Sequence, residues 1–153
     1  MESCAFSVQV QTGRFDAGSE LAALASRPDV GAQVCFIGQV RDFGDQSGVM
    51  ALELEHYPGM TEKSLLAILD TARQRWPLSA ARVVHRVGYL PLGEPIVLVL
   101  TASAHRRDAF AACEFIMDYL KHDAPFWKKE HTQAGSHWVE AKSSDQQAVQ
   151  RWG

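Results

Sequence analysis

Residues 105–121 carry Ala109, Cys113, Ile116 and Leu120 at i, i+4, i+7 and i+11, a single apolar stripe along a helix. A second stripe, Leu65, Leu66, Ile68, Leu69, Ala72 and Trp76, runs from Thr61, read as its cap, to Pro77, which ends it. Ser103 is read as the cap of the 105–121 helix, and Pro125 lies beyond its end. Two long helices with one apolar face each need a sheet to cover them, and the remaining segments supply strands. Residues 3–10 alternate loosely, and 31–40 hold the apolar run Val34, Cys35, Phe36 and Ile37. In 50–56, Met50, Leu52, Leu54 and His56 alternate with Ala51, Glu53 and Glu55, a half-buried strand broken by Pro58 and Gly59. Segments 81–87 and 95–101 read as strands joined by the Gly- and Pro-rich stretch 88–94. Segments 126–131 and 137–141 read as a final pair around Gly135.

Asp16 and Ser19 offer caps for a short helix through Leu21, Leu24 and Ala25, stopped by Pro28. The polar stretch 41–48 is a loop, and the tail from about 143 is weakly helical. Strands and helices mix without strict βαβ alternation. The expectation is one α+β domain over 1–153, with a mixed, largely antiparallel sheet and two long helices.

Composition narrows the chemistry. The 153 residues carry a net charge of −3, whereas a bulk electrostatic nucleic-acid binder is basic, so an anionic ligand needs a local cluster of cations. The tryptophans and phenylalanines are read as core, not as a surface for stacking bases. Cys4, Cys35 and Cys113 are odd in number and widely spaced, which excludes a disulfide framework or a cysteine zinc site and fits a reducing, cytoplasmic compartment. No histidine pair has metal-ligand spacing, so no metal and no cofactor are expected. The segment around Glu2 has no apolar run of a signal peptide, and 96–100 is far too short to span a bilayer.

The richest stretch is Lys121-His122-Asp123-Ala124-Pro125-Phe126-Trp127-Lys128-Lys129. Lys121 sits at a helix end, and Pro125 turns the chain so that Lys128 folds back toward it. Two neighbouring ammonium groups disfavour each other's charge, which suits a lysine to acid–base work or to attack on a carbonyl. The plainer reading is a helix-end lysine complementing the dipole and a solvated strand face at 128–129. His105, Arg106 and Arg107 open the same helix, where exposed N–H groups and arginines suit a phosphate. The alternative is a solvent-facing first turn. Arg41 follows the 31–40 strand into the Gly-bearing loop, where site residues are often presented.

These residues also carry a family resemblance. Leu54-Glu55-His56-Tyr57-Pro58-Gly59-Met60, Ser103-Ala104-His105-Arg106 and Phe115-Ile116-Met117-Asp118-Tyr119-Leu120-Lys121 resemble the large, catalytic subunit of molybdopterin synthase. So do Ala124-Pro125-Phe126-Trp127-Lys128-Lys129 and Trp138-Val139-Glu140-Ala141. The five motifs stand in the family's order from about Gly31 to the tail.

The resemblance implies an α/β-hammerhead-like fold. It also implies transfer of sulfur from the C-terminal thiocarboxylate of a small ubiquitin-like subunit to cyclic pyranopterin monophosphate, forming the dithiolene of the molybdenum cofactor. It implies a heterotetramer built on a dimer of large subunits. Carried over by motif, Lys121 and Lys128 are catalytic, Arg41, His105 and Arg106 bind substrate, and Phe36 and Met117 line the pocket. Lys142 stands where the family can carry arginine, keeping the charge but losing the bidentate fork. The chain ends Arg151-Trp152-Gly153, so it is not expected to be the Gly-Gly carrier itself. Two other functions fit the residues: a non-catalytic docking module for a ubiquitin-like protein, and a metal-free phosphate-ester hydrolase.

Overall fold

The computed structural model describes residues 5–41, 48–139 and 143–153. The strands are β1 (Phe6–Gln11), β2 (Ala32–Gln39), β3 (Val49–His56), β4 (Leu78–Arg86), β5 (Gly88–Pro91), β6 (Pro95–Ser103), β7 (Phe126–Thr132) and β8 (Gly135–Val139). The helices are α1 (Ala17–Ala22), α2 (Met60–Arg75), α3 (Arg106–Asp123) and α4 (Ser143–Gln150).

The strands divide into two four-stranded sheets, ordered β1-β4-β6-β2 and β5-β3-β7-β8. Only the β1–β4 pair is parallel among the described strands. The α+β, largely antiparallel expectation therefore holds. Strand β5 falls inside the stretch expected to be a plain connection. Gly88, at φ 93°, turns the chain out of β4, and 88–91 then pair with 51–54 of β3.

The two long helices cover one face of the first sheet. Leu65, Ile68, Leu69 and Ala72 of α2 pack with Cys113, Phe115, Ile116 and Leu120 of α3 over Ala81, Val83, Val97 and Val99. The stripe Ala109, Cys113, Ile116 and Leu120 is buried as its spacing requires. Short α1 covers the opposite face, where Leu21 pack against Val84, Leu98 and Leu100. A third cluster, Val40, Leu52, Leu54, Val87 and Leu90, joins the second sheet to the end of the first.

Several local readings are corrected. The N-cap of α2 is Gly59, at φ 86°, whose N–H donates to the Glu62 carboxylate at 2.9 Å. Thr61 lies inside the helix, fully buried, with its hydroxyl donating to the Tyr57 carbonyl. The N-cap of α3 is His105, not Ser103, whose hydroxyl instead donates to the Pro77 carbonyl at 2.7 Å. Met50 is exposed while Ala51 and Leu52 are both buried, because a register irregularity between Val49 and Ala51 shifts the alternation by one residue. Trp76 and Trp152 pack against the main core, but Trp127 and Trp138 are half exposed. They lie on the outer face of the second sheet, which has a core on one side only. Lys129 sits over the Trp138 ring there, 4.7 Å from its centroid.

Candidate active site

Pro125 builds the site's corner. A proline disfavours helical backbone at the residue before it, and Ala124 accordingly sits at φ −70°, ψ 133°, closing α3 and sending the chain into β7. Lys121 is thereby left in the last helical turn, and Lys128 two residues beyond the start of β7. Lys128 pairs with Leu54 and Val139 in the second sheet, so its side chain shares their inward face with Phe126.

These residues enclose a cavity of about 210 Å³ between the two sheets and the end of α3. Lys121, Met117 and Leu120 come from α3, one helical turn apart. Phe36 and Gly38 come from β2, His85 from β4, Val97 from β6, and Leu54, Phe126 and Lys128 from the second sheet. Four of the sequence-derived site residues, Phe36, Met117, Lys121 and Lys128, therefore meet in one pocket. Phe36 is 41% exposed, so the pocket has an open aromatic wall.

The other candidates lie elsewhere. Arg41 is exposed two residues past the end of β2, outside the cavity lining. His105 and Arg106 line a separate surface depression with Arg107, Phe110, Glu114 and Trp152. Arg106 and Lys121 occupy opposite ends of α3, about 22 Å apart along its axis at ~1.5 Å per residue. Lys142 lies outside the described residues.

His85 is a site residue that sequence reasoning missed. Its ring is buried and stacks on Phe126, with centroids 3.9 Å apart and planes 17° apart. Burial is the main force holding its pKa down, at about 4, and the positive charges of Lys121 and Lys128 add to it. The signal in the sequence was a His-Arg pair at the end of an otherwise apolar strand, Val83-Val84-His85-Arg86.

The described cysteines are not poised as nucleophiles. Cys113 is buried, and loss of solvent pushes its thiol up to about 12. Burial, and then the charge of Glu20, also raises Cys35. Among the described residues no group of three or more His, Cys, Asp or Glu side chains is placed to hold a metal ion. No described helix is long and apolar enough to cross a membrane. The arrangement offers two ammonium groups, a neutral imidazole and apolar walls: acid–base or electrostatic chemistry on an anionic, partly aromatic small molecule.

Comparison with known proteins places the whole arrangement in context. A family model described as MoaE protein matches residues 10–123. A molybdopterin synthase catalytic subunit from Ralstonia nicotianae is 60% identical over 147 residues, covering 95% of this chain and 84% of that protein. The solved molybdopterin biosynthesis MoaE protein from Burkholderia ambifaria superposes with a TM-score of 0.82 at 53% identity, covering 96% of this chain and 97% of that one. Molybdopterin synthase from Staphylococcus aureus gives a TM-score of 0.80 at 32% identity, covering 86% and 96%.

Proposed function

Because the chain belongs to the MoaE protein family, we propose that it works as the catalytic subunit of a molybdopterin synthase, a sulfurtransferase of molybdenum cofactor biosynthesis. Sulfur passes from the C-terminal thiocarboxylate of a small ubiquitin-like subunit to cyclic pyranopterin monophosphate, twice, giving the dithiolene. One observation carries the assignment of the site: Lys121 and Lys128 converge on a single pocket beside Phe36 and Met117.

The roles follow from that placement. Lys121, at the end of α3, acts on the reacting atoms. Lys128, half-buried on β7, neutralises negative charge as it develops on the substrate and on the carboxylate that water leaves on the donor once its acyl–sulfur bond is broken. Phe36 and Met117 provide the surface against which a flat pterin rests. Arg41, His105, Arg106 and Lys142 bind the phosphate and the pterin edge. The distance between the ends of α3 supports a reading in which His105 and Arg106 serve the pocket of a second large subunit. Residues 1–153 act as one domain, as one half of a central homodimer within a heterotetramer.

The raised thiols of Cys35 and Cys113 support an external sulfur donor, and free cysteines suit a cytoplasmic enzyme. The test is reconstitution with thiocarboxylated small subunit and cyclic pterin, followed by detection of the dithiolene product. Binding of the small subunit with no product would replace this reading with the docking module.

A further inference from the structure

We propose that Gly38 is a specificity-determining residue of this pocket: its bare backbone is the bed on which the Phe36 ring lies down, and the ring so placed is the platform for a flat heterocycle. The inference rests on the sulfur-transfer reading of the same pocket and adds the residue that shapes its aromatic wall.

Glycine inside a strand is unfavourable unless its backbone freedom or its small size is needed. Backbone freedom is not the reason here. Gly38 lies within β2 and has no positive φ. The register irregularity between Gly38 and Gln39 does not call for glycine either, because the bulge that does so places it at positive φ. Space is what remains. A Cβ on Gly38 would stand 3.1 Å from Val97 Cγ1, 3.3 Å from Phe36 Cε1 and 3.8 Å from Phe36 Cζ.

The contact with Phe36 is the informative one. Side chains two residues apart on one face of a strand start about 6.6 Å from each other and stand roughly perpendicular to the sheet. A ring edge that reaches the Cβ place of residue 38 therefore leans along the strand, over the glycine. The rows of the first sheet show where that takes it. One row is Phe36, Val99 and Val83, and both valines are fully buried. The next row is Gly38, Val97 and His85, and all three line the cavity. Phe36 is thus rooted in a core row while its ring extends into the cavity row. Met117 and Lys121 line the same cavity from α3. A flat ring system resting on a reclining Phe36 gains stacking contact over its face, and an upright ring would take that contact away. A methyl group at position 38 presses on the ends of two side chains and not on backbone, so the chain accommodates it by lifting the ring.

The experiment separates binding from turnover and tests the link to Phe36. Calorimetric titration of the full-length protein with cyclic pyranopterin monophosphate should give a Kd about tenfold weaker for Gly38→Ala than for wild type. With thiocarboxylated small subunit present, KM for the pterin should rise by a similar factor while kcat stays within about twofold, because Lys121 and Lys128 are untouched. Phe36→Val keeps an apolar side chain too short to lie over position 38. On that background, adding Gly38→Ala should leave Kd unchanged.

A wild-type Kd in Gly38→Ala overturns the proposal. So does the same loss appearing on the Phe36→Val background, or a fall in kcat at constant KM. If Gly38→Ala does not fold alone, the double variant decides: it should fold and bind as Phe36→Val does, and its failure to do so overturns the proposal. A wild-type chain that binds the pterin yet forms no dithiolene overturns the sulfur-transfer reading instead, and the titrations still judge Gly38.

Discussion

His85 and Phe126 come from different sheets, yet their rings lie nearly parallel with centroids 3.9 Å apart. The stack joins the end of β4 to the start of β7 at the cavity wall, and it makes the imidazole part of the core. A folded pKa of about 4 against an ordinary 6.5 means that, between these values, the unfolded chain binds a proton that the folded chain does not. Stability is therefore full above pH 6.5 and falls as pH drops toward 4, by about 3 kcal/mol. His85→Gln should flatten that acid limb. Denaturant midpoints near pH 7 and pH 4.5 check it, and an unchanged slope in the variant would refute the burial argument.

Gly31 meets the backbone just before α3. Its N–H donates to the Ser103 carbonyl at 2.9 Å, and a Cβ there would stand 2.1 Å from the Ala104 carbonyl oxygen. Backbone cannot yield as a flexible side chain would. Gly31→Ala should cost about 2 kcal/mol or more, seen as a Tm lower by roughly 5 °C. A Tm equal to wild type would show that the strand and the His105 cap separate freely.

On the proposed function, the donor's tail brings a thiocarboxylate to Lys121 inside the pocket of about 210 Å³, which would also receive the pterin. Residues without side chains pass closest to a wall. A small subunit whose last glycine is replaced by a bulky residue should bind but transfer sulfur at least about tenfold more slowly. Single-turnover product formation reads this out, and a normal rate would exclude a narrow approach.

The separation of Arg106 from Lys121 along α3 predicts complementation between subunits. Arg106→Ala and Lys121→Ala chains, each inactive alone, should regain activity when their dimers exchange, because one of the two sites in a mixed dimer is intact. Verified mixed dimers without activity would place both residues in the same chain's site.

What was legible in the sequence was local. Pro125 after a helical stripe implied that Lys128 returns toward Lys121, and the i, i+4 spacing of Met117 and Lys121 made them neighbours. What was not legible depended on pairing between distant segments. The registry of β3 with β7 decides that Lys128 faces in and Trp127 out, and no local pattern contains it. His85 joins the pocket only because β4 ends where the second sheet begins. The His-Arg pair that ends its apolar strand marks it as unusual but does not say which distant segments it meets. Strand β5 hid in a Gly- and Pro-rich stretch because its pairing to 51–54 comes from β3, more than thirty residues upstream. Arg41, His105 and Arg106 stood out by their places at a strand end and a helix start as well as by family motifs, yet the described residues of one chain do not gather them around the cavity.

The central claim is that the pocket holding Lys121 performs the sulfur transfer. Its most direct test is Lys121→Ala, incubated with thiocarboxylated small subunit and cyclic pyranopterin monophosphate, with dithiolene product measured alongside binding of the small subunit. The account predicts product formation reduced by about a hundredfold or more while the small subunit still binds. Near-normal turnover in that variant would contradict it.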